Sequence, residues 1–182
     1  MGMDQVAASE LVVRPWTLAD APALTRAITD SVEHLRPWMP WAAGEPVDEA
    51  TRSAFLRDAI AGEAAGGDRL RGWFLRDVVV GGGGLHQRIG AGGLEIGYWV
   101  RAAYTRRGVA TAAVHALVAE AFADPAIDRV EILHDRANAA SGRVAAAAGF
   151  TLVGEIPRPA TAPADEGVGC VWRLARARVH AP

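Results

Sequence analysis

Lysine is missing from this chain: all 19 basic residues among its 182 are arginine. That excludes chemistry built on a Schiff-base lysine, and also the Walker A phosphate loop, which requires a lysine. Cys170 is the single cysteine, so neither an internal disulfide nor a multi-cysteine zinc site can form. The five histidines show no metal-ligand spacing. No G-x-S-x-G elbow of a serine hydrolase is present. Long hydrophobic runs are absent too. The longest stretch without a charged side chain, Gly108–Ala119, falls well short of the roughly 20 residues a membrane helix needs. The opening Met1-Gly2-Met3-Asp4-Gln5 lacks the basic start and apolar core of a secretory signal. There is no excess of one charge: 19 basic against 21 acidic residues give a net −2. This argues against nucleic acid or an anionic membrane as partner. The expectation is a soluble, cytoplasmic protein.

What is present reads as one domain over residues 1–182, with 51% hydrophobic and 22% charged residues. Glu10–Arg14 reads as a strand stopped by Pro15. Thr17-Leu-Ala-Asp20 resembles a capping box, and Leu24, Ile28, Val32 and Leu35 then recur at helical spacing until Pro37. A second helix is predicted from Asp48 to Ala65, with Phe55, Leu56, Ala59 and Ile60 inward. Leu70–Arg76, Val78–His86 and Gly93–Val100 read as an antiparallel meander. Then follow a helix over Gly108–Ala123, a strand over Arg129–His134 and a helix over Asn138–Ala148 closed by Gly149. Thr151–Glu155 and Val168–Leu174 read as two last strands. The order β-α-α-β-β-β-α-β-α-β-β gives an α/β fold of the mixed α+β kind. Its central sheet is mostly antiparallel with flanking helices, unlike a Rossmann alternation.

Three constellations could carry chemistry. Tyr104-Thr-Arg106-Arg107-Gly108-Val109-Ala110-Thr111 joins a strand to a helix, and free N–H groups at a helix start favour a phosphate. Taken alone, it reads first as an ordinary turn with solvated arginines. In Leu94-Glu95-Ile96-Gly97-Tyr98-Trp99-Val100, alternation puts Glu95, Gly97 and Trp99 on one face. The strand glycine suggests a bulge or close ligand approach, with Glu95 as a general base or a solvent-facing side chain. Asn138, the only asparagine, sits three residues before Ser141 where a helix cap belongs. Gly81–Gly84 lacks the spacing of a nucleotide loop and reads as a flexible strand segment. Trp38 and Trp41, in the proline-pinned loop Pro37–Trp41, read first as core anchors and second as the wall of an acceptor pocket. Cys170, on a late strand, reads as a buried inert thiol.

Glu95-Ile-Gly-Tyr-Trp, then Arg-Arg-Gly-Val-Ala-Thr, then Asn-x-x-Ser, then Gly149-Phe150 occur in that order. The combination resembles the GNAT superfamily of acetyl-CoA-dependent N-acetyltransferases. It is closest to the RimJ/RimL branch, named for ribosomal-protein N-terminal acetyltransferases, and covers roughly Leu11 to Leu174. One departure is Thr105, which stands where the family's loop often has Gln or Arg.

The resemblance implies acetyl-CoA as cosubstrate and no metal. It implies that Arg106, Arg107, Gly108, Val109, Ala110 and Thr111 wrap the pyrophosphate, and that the fourth and fifth strands splay so that pantetheine pairs near Tyr98, Trp99 and Val100. Asn138 would touch the pantetheine. Ser141 would protonate the leaving thiolate, with Tyr104 as substitute, and Glu95 would be the base, directly or through water. Trp38, Trp41 and Glu95 would meet a small-molecule or peptide amine, and the branch suggests a homodimer. A GNAT-fold module without turnover, which senses acyl-CoA or binds a partner, is the alternative.

Overall fold

Thr17 and Asp20 close the capping box that their spacing predicts. The Thr17 backbone N–H and hydroxyl donate to Asp20 Oδ2 at 2.8 and 2.9 Å, and Arg14 pairs with the same carboxylate at 2.8 Å. This computed structural model describes residues 10–176; the N-terminal pentapeptide discussed above lies outside the described residues. From that cap the chain runs through α1 (Ala21–Thr29), α2 (Val32–Leu35) and α3 (Glu49–Ala64) after a first strand, β1 (Leu11–Pro15). Strands β2 (Arg69–Leu75), β3 (Val78–His86) and β4 (Gly93–Val100) follow as the predicted meander. Helix α4 (Val109–Ala123), β5 (Arg129–Asp135), α5 (Ala139–Ala147), β6 (Thr151–Pro157) and β7 (Val168–Ala175) complete the order.

The strands form one sheet in the order β1-β2-β3-β4-β5-β7-β6. Every pairing is antiparallel except β4 with β5. One core, with Trp73, Leu85, Ile96, Val114, Leu117 and Ile132, packs α4 and α5 on one face. The other, with Trp16, Leu24, Ile28, Leu56 and Val79, packs α1 and α3 on the opposite face. No helix among the described residues is long and apolar enough to cross a membrane.

Two expectations are corrected. The apolar spacing from Leu24 to Leu35 does not make one helix. The chain breaks at Asp30–Ser31, because the buried Ser31 hydroxyl accepts the Ala102 N–H at 3.0 Å and Asp30 pairs with Arg101 at 2.5 Å. Tertiary hydrogen bonds there outweigh helix continuation. In α3 the inward face carries Arg52 and Leu56, while Phe55 and Ile60 are 45% and 40% exposed. Arg52 turns inward because Glu45, also buried, accepts its guanidinium at 2.5 Å.

The glycine tract of β3 has a packing reason. A Cβ on Gly81 or Gly83 would come within 2.7 or 2.8 Å of the Trp73 ring, and one on Gly82 within 2.9 Å of Trp99 Nε1. The bare backbone seats indoles on both faces of the sheet, so the segment is a packing track and not a flexible one.

Candidate active site

The parallel pairing of β4 with β5 stops after Gly93, Leu94 and Glu95. Beyond it β4 stays paired with β3 through Val100, and β5 stays paired with β7 through Asp135. The two strands therefore diverge into a wedge. The Arg101 N–H donates to Val80 of β3 at 2.8 Å. By alternation, Trp99 and Gly97 also face β3, while Val100, Tyr98 and Ile96 turn their N–H and C=O groups into the wedge. A sheet interior that leaves a ladder open offers an extended ligand a strand to pair with.

At the wide end lies the start of α4. Gly108 caps the helix with φ +73°, and Arg106 is also left-handed at φ +58°. Alternating hand in successive residues gathers backbone N–H groups into an anion-binding concavity, and the first-turn amides of α4 add theirs. A cavity of about 580 Å³ is lined here by Arg106, Gly108, Val109, Ala110 and Thr111 and, across the wedge, by Tyr98, Trp99, Val100, Asn138 and Ser141. Arg107 lies outside it, its guanidinium 5.3 Å from the Tyr104 ring centre. Arg143 of α5 lines the cavity, a cation that sequence reading missed because no motif marks it.

Tyr98 and Ser141 bridge the wedge, and Asn138 stands beside them. The Asn138 Oδ1 accepts the Ser141 N–H at 3.2 Å, so the asparagine is a helix cap whose NH₂ group remains for a ligand. The Ser141 Oγ lies 2.8 Å from the Tyr98 hydroxyl. Burial pushes the Tyr98 phenol up to about 12, although the Ser141 bond pulls the other way, so the phenol keeps its proton at neutral pH. The pairing of Tyr98 with Ser141 was invisible in the sequence, since it joins β4 to a helix 43 positions later. Tyr104 lines the same cavity from a turn at Ala102–Tyr104, without a hydrogen bond to this pair.

On the other side of Tyr98 and Trp99 lies a second cavity of about 900 Å³, whose lining includes Glu95, Trp38, Trp41, Phe55, His86 and His134. The Glu95 side chain is 13% exposed and lies 3.4 Å from the Arg88 guanidinium. Trp38 and Trp41 belong to neither core, which corrects the first reading of them as anchors. Trp41 is 42% exposed and meets Trp99 edge-on at 6.3 Å. Pro37 and Pro40 hold the loop out of the helix, so the indoles face the cavity mouth instead of a core. Cys170 is buried, its thiol pushed up chiefly by that burial, and it lines neither cavity.

Two loops roof this cavity and touch: the Ala164 N–H donates to the Pro37 carbonyl at 3.0 Å. Asp135 anchors the second loop. Its carboxylate accepts N–H groups from Ala137, Glu166 and Gly167 at 3.0 Å and from Val168 at 3.3 Å. Burial favours the neutral carboxyl, but the four N–H donors outweigh it and hold the Asp135 carboxyl below the usual value. Asp135→Ala strands those donors and is expected to cost about 2–4 kcal/mol in urea unfolding. Because the folded carboxyl is the stronger acid, its contribution is present above pH 3.8 and lost as pH falls through the lower folded value. The wild-type and variant stability curves should therefore converge in acid.

Known proteins share this fold. A family model described as an acetyltransferase (GNAT) domain matches residues 10–151. Among solved structures, the microcin C7 self-immunity acetyltransferase MccE, in complex with acetyl-CoA and AMP, superposes with a TM-score of 0.84. The identity is 18% over 92% of this chain and 93% of that one. The ribosomal L7/L12 α-N-protein acetyltransferase RimL, with coenzyme A, gives 0.83 at 19% identity over 93% and 96% of the two chains. Mycobacterium smegmatis RimJ gives 0.77 at 23% over 91% and 81%. A search of curated protein sequences finds no match. With a family model matching most of its length, the chain belongs to the GNAT acetyltransferase family.

Proposed function

We propose that the protein transfers an acetyl group from acetyl-CoA to a primary amine, by direct attack and without a covalent enzyme intermediate. The observation that carries this is the wedge itself. It has a helix start with unpaired amides at one end, an open β4 edge along its length and a largely enclosed carboxylate, Glu95, at the other. When bound, acetyl-CoA would supply an acetyl thioester as the activated donor. Amides of Arg106, Gly108, Val109, Ala110 and Thr111 would hold its diphosphate, helped by Arg106 and Arg143, and the β4 edge at Tyr98 and Val100 would hold the pantetheine arm. The Val100 N–H would face the thioester oxygen as it gains charge. Ser141, hydrogen-bonded to the protonated Tyr98 phenol, would give a proton to the departing sulfur. Glu95 would take the proton of the amine.

The energetics of the amine select a class of acceptor. At pH 7 an α-amine of pKa about 7.7–8.0 costs about 1 kcal/mol to deprotonate, and a lysine of about 10.4 costs about 4–5. A site with one working carboxylate suits the α-amine better, on a peptide or protein N-terminus or a small molecule. The solved relatives named for ribosomal-protein substrates point the same way. The test is release of free thiol from acetyl-CoA in the presence of N-terminal peptides and small amines, followed by mass spectrometry for one added acetyl. An enzyme responds to at least one amine; a protein that only senses acyl-CoA binds it and releases no thiol with any.

A further inference from the structure

Two histidines line the 900 Å³ cavity, and their hydrogen bonds sort them. His134 is fully engaged: Nδ1 meets the Asp135 carbonyl at 2.7 Å, and Nε2 accepts the Trp172 indole N–H at 2.9 Å. Both ring nitrogens are therefore occupied, and neither lone pair is left for a ligand. His86, the last residue of β3, is different. Its Nδ1 lies 2.6 Å from Asp68 Oδ2, and its Nε2 has no protein hydrogen-bond partner among the described residues. A Cβ on Gly84 or on Gly97 would come 3.2 Å from that Nε2. The two glycines are paired across β3 and β4, so together they leave room for the ring to lie along the cavity floor.

Asp68 is held in place by the Gln87 N–H at 2.9 Å. Burial favours its neutral form, but the bonds from His86 and Gln87 prevail and keep the carboxyl below its usual value. An ionised Asp68 takes the Nδ1–H and leaves the Nε2 lone pair facing the cavity. His86 and Glu95 are direct register partners, which places their Cβ atoms about 4.5–5.5 Å apart on one face. The charged groups around the ring are Asp68, Glu95 from β4 and Arg88 from the turn that follows β3. From β2 the neighbour near Gly84 is the apolar Leu70.

We infer that Asp68 and His86 form a second proton-handling pair in the acceptor cavity, with His86 Nε2 receiving from Glu95 the proton that the attacking amine sheds. The inference rests on the transferase reading above. As the amine nitrogen bonds to the acyl carbon and the carbon–sulfur bond breaks, one amine proton passes to Glu95 and on to His86. Ser141 protonates the sulfur and regains a proton from solvent, and the imidazolium returns one to solvent. The chemical reason is affinity. An imidazole is by its chemistry a stronger base than a carboxylate, and so a better final acceptor for a proton taken from an α-amine. Asp68 is the positioning residue, since it reaches the amine only through the ring.

The experiment compares wild type, His86→Gln, Asp68→Asn and Glu95→Gln with one α-amine acceptor, each pH profile being read as its difference from wild type so that the acceptor's own ionisation cancels. In wild type, log kcat should rise with pH through an enzyme ionisation beside that of the acceptor. His86→Gln should lose about 10–10²-fold in kcat and flatten that limb. Asp68→Asn should move the limb to lower pH, because the imidazolium loses its anionic partner. Nitrogen NMR of the imidazoles reads the tautomer without turnover. His86 should carry its proton on Nδ1 in wild type and lose that preference in Asp68→Asn. A wild-type rate and an unchanged limb in His86→Gln, with Glu95→Gln inactive, overturn the relay alone. A proton on Nε2 in wild type overturns it as well. Wild type that releases no thiol with any amine overturns the transferase reading and the relay with it.

Discussion

Replacing Glu95 by Gln is expected to lower kcat by about 10²–10⁴-fold while acetyl-CoA affinity stays within about twofold. The substitution keeps size and the capacity to accept a hydrogen bond, and removes the charge and basicity. Glu95 is the last β4 residue whose partner on β5 is in register; the next one opens the wedge. Its carboxylate thus sits at the vertex where the donor arm and the acceptor cavity meet. Its β5 partner Glu131 is already bound to Arg173 at 2.6 Å, so that second carboxylate is not free to substitute. Among the described residues Glu95 pairs only with Arg88, at 3.4 Å, and that guanidinium is 55% exposed. Calorimetry with acetyl-CoA and steady-state kinetics separate the two effects. A variant that turns over at the wild-type rate removes Glu95 from the mechanism.

Gly108→Val is expected to weaken acetyl-CoA binding by about 10–100-fold with little change in fold stability beyond about 1–2 kcal/mol. The residue sits at φ +73° as the cap of α4, a conformation that a β-branched side chain adopts only under strain. Among the described residues outside the local backbone, no atom would lie within 4 Å of an added Cβ, so the backbone strain and not a clash at Cβ is the main effect. The loss comes from turning the cap and re-aiming the amides that follow it. Arg106→Ala offers the contrast. This side chain is exposed, so its removal should reduce affinity only a few-fold and mainly at low salt. Calorimetric titrations of both variants at two ionic strengths test this. Equal losses in the two would place the anion on side chains and not on the backbone.

The sequence was most informative where local chemistry decides structure. The Thr17/Asp20 box, the Gly108 and Gly149 positions and the Asn138 cap are written in residues that suit one backbone geometry each. The ordered trio of motifs located the wedge because each lies beside it. Legibility ended where a partner distant in sequence set the outcome. Ser31 breaks a well-patterned helix because its hydroxyl serves Ala102, 71 positions away. Arg52 faces inward, against composition, because Glu45 is buried with it. Trp38 and Trp41 looked like core residues because large indoles usually are, and only the loop path through Pro37 and Pro40 puts them at a cavity mouth. His86 carried no motif at all. Its place in the cavity depends on Asp68, on the glycine pair beneath it and on its register with Glu95, none of which spacing reveals.

The central claim is that amides at the front of α4 hold the coenzyme diphosphate while the open edge of β4 holds its arm. A backbone-amide NMR titration with acetyl-CoA tests it most directly. Saturable shifts concentrated at residues 106–111 and at Tyr98 and Val100 are predicted. A spectrum unchanged at about 1 mM acetyl-CoA, at the upper end of ordinary enzyme affinities, or shifts confined to other elements, would contradict it.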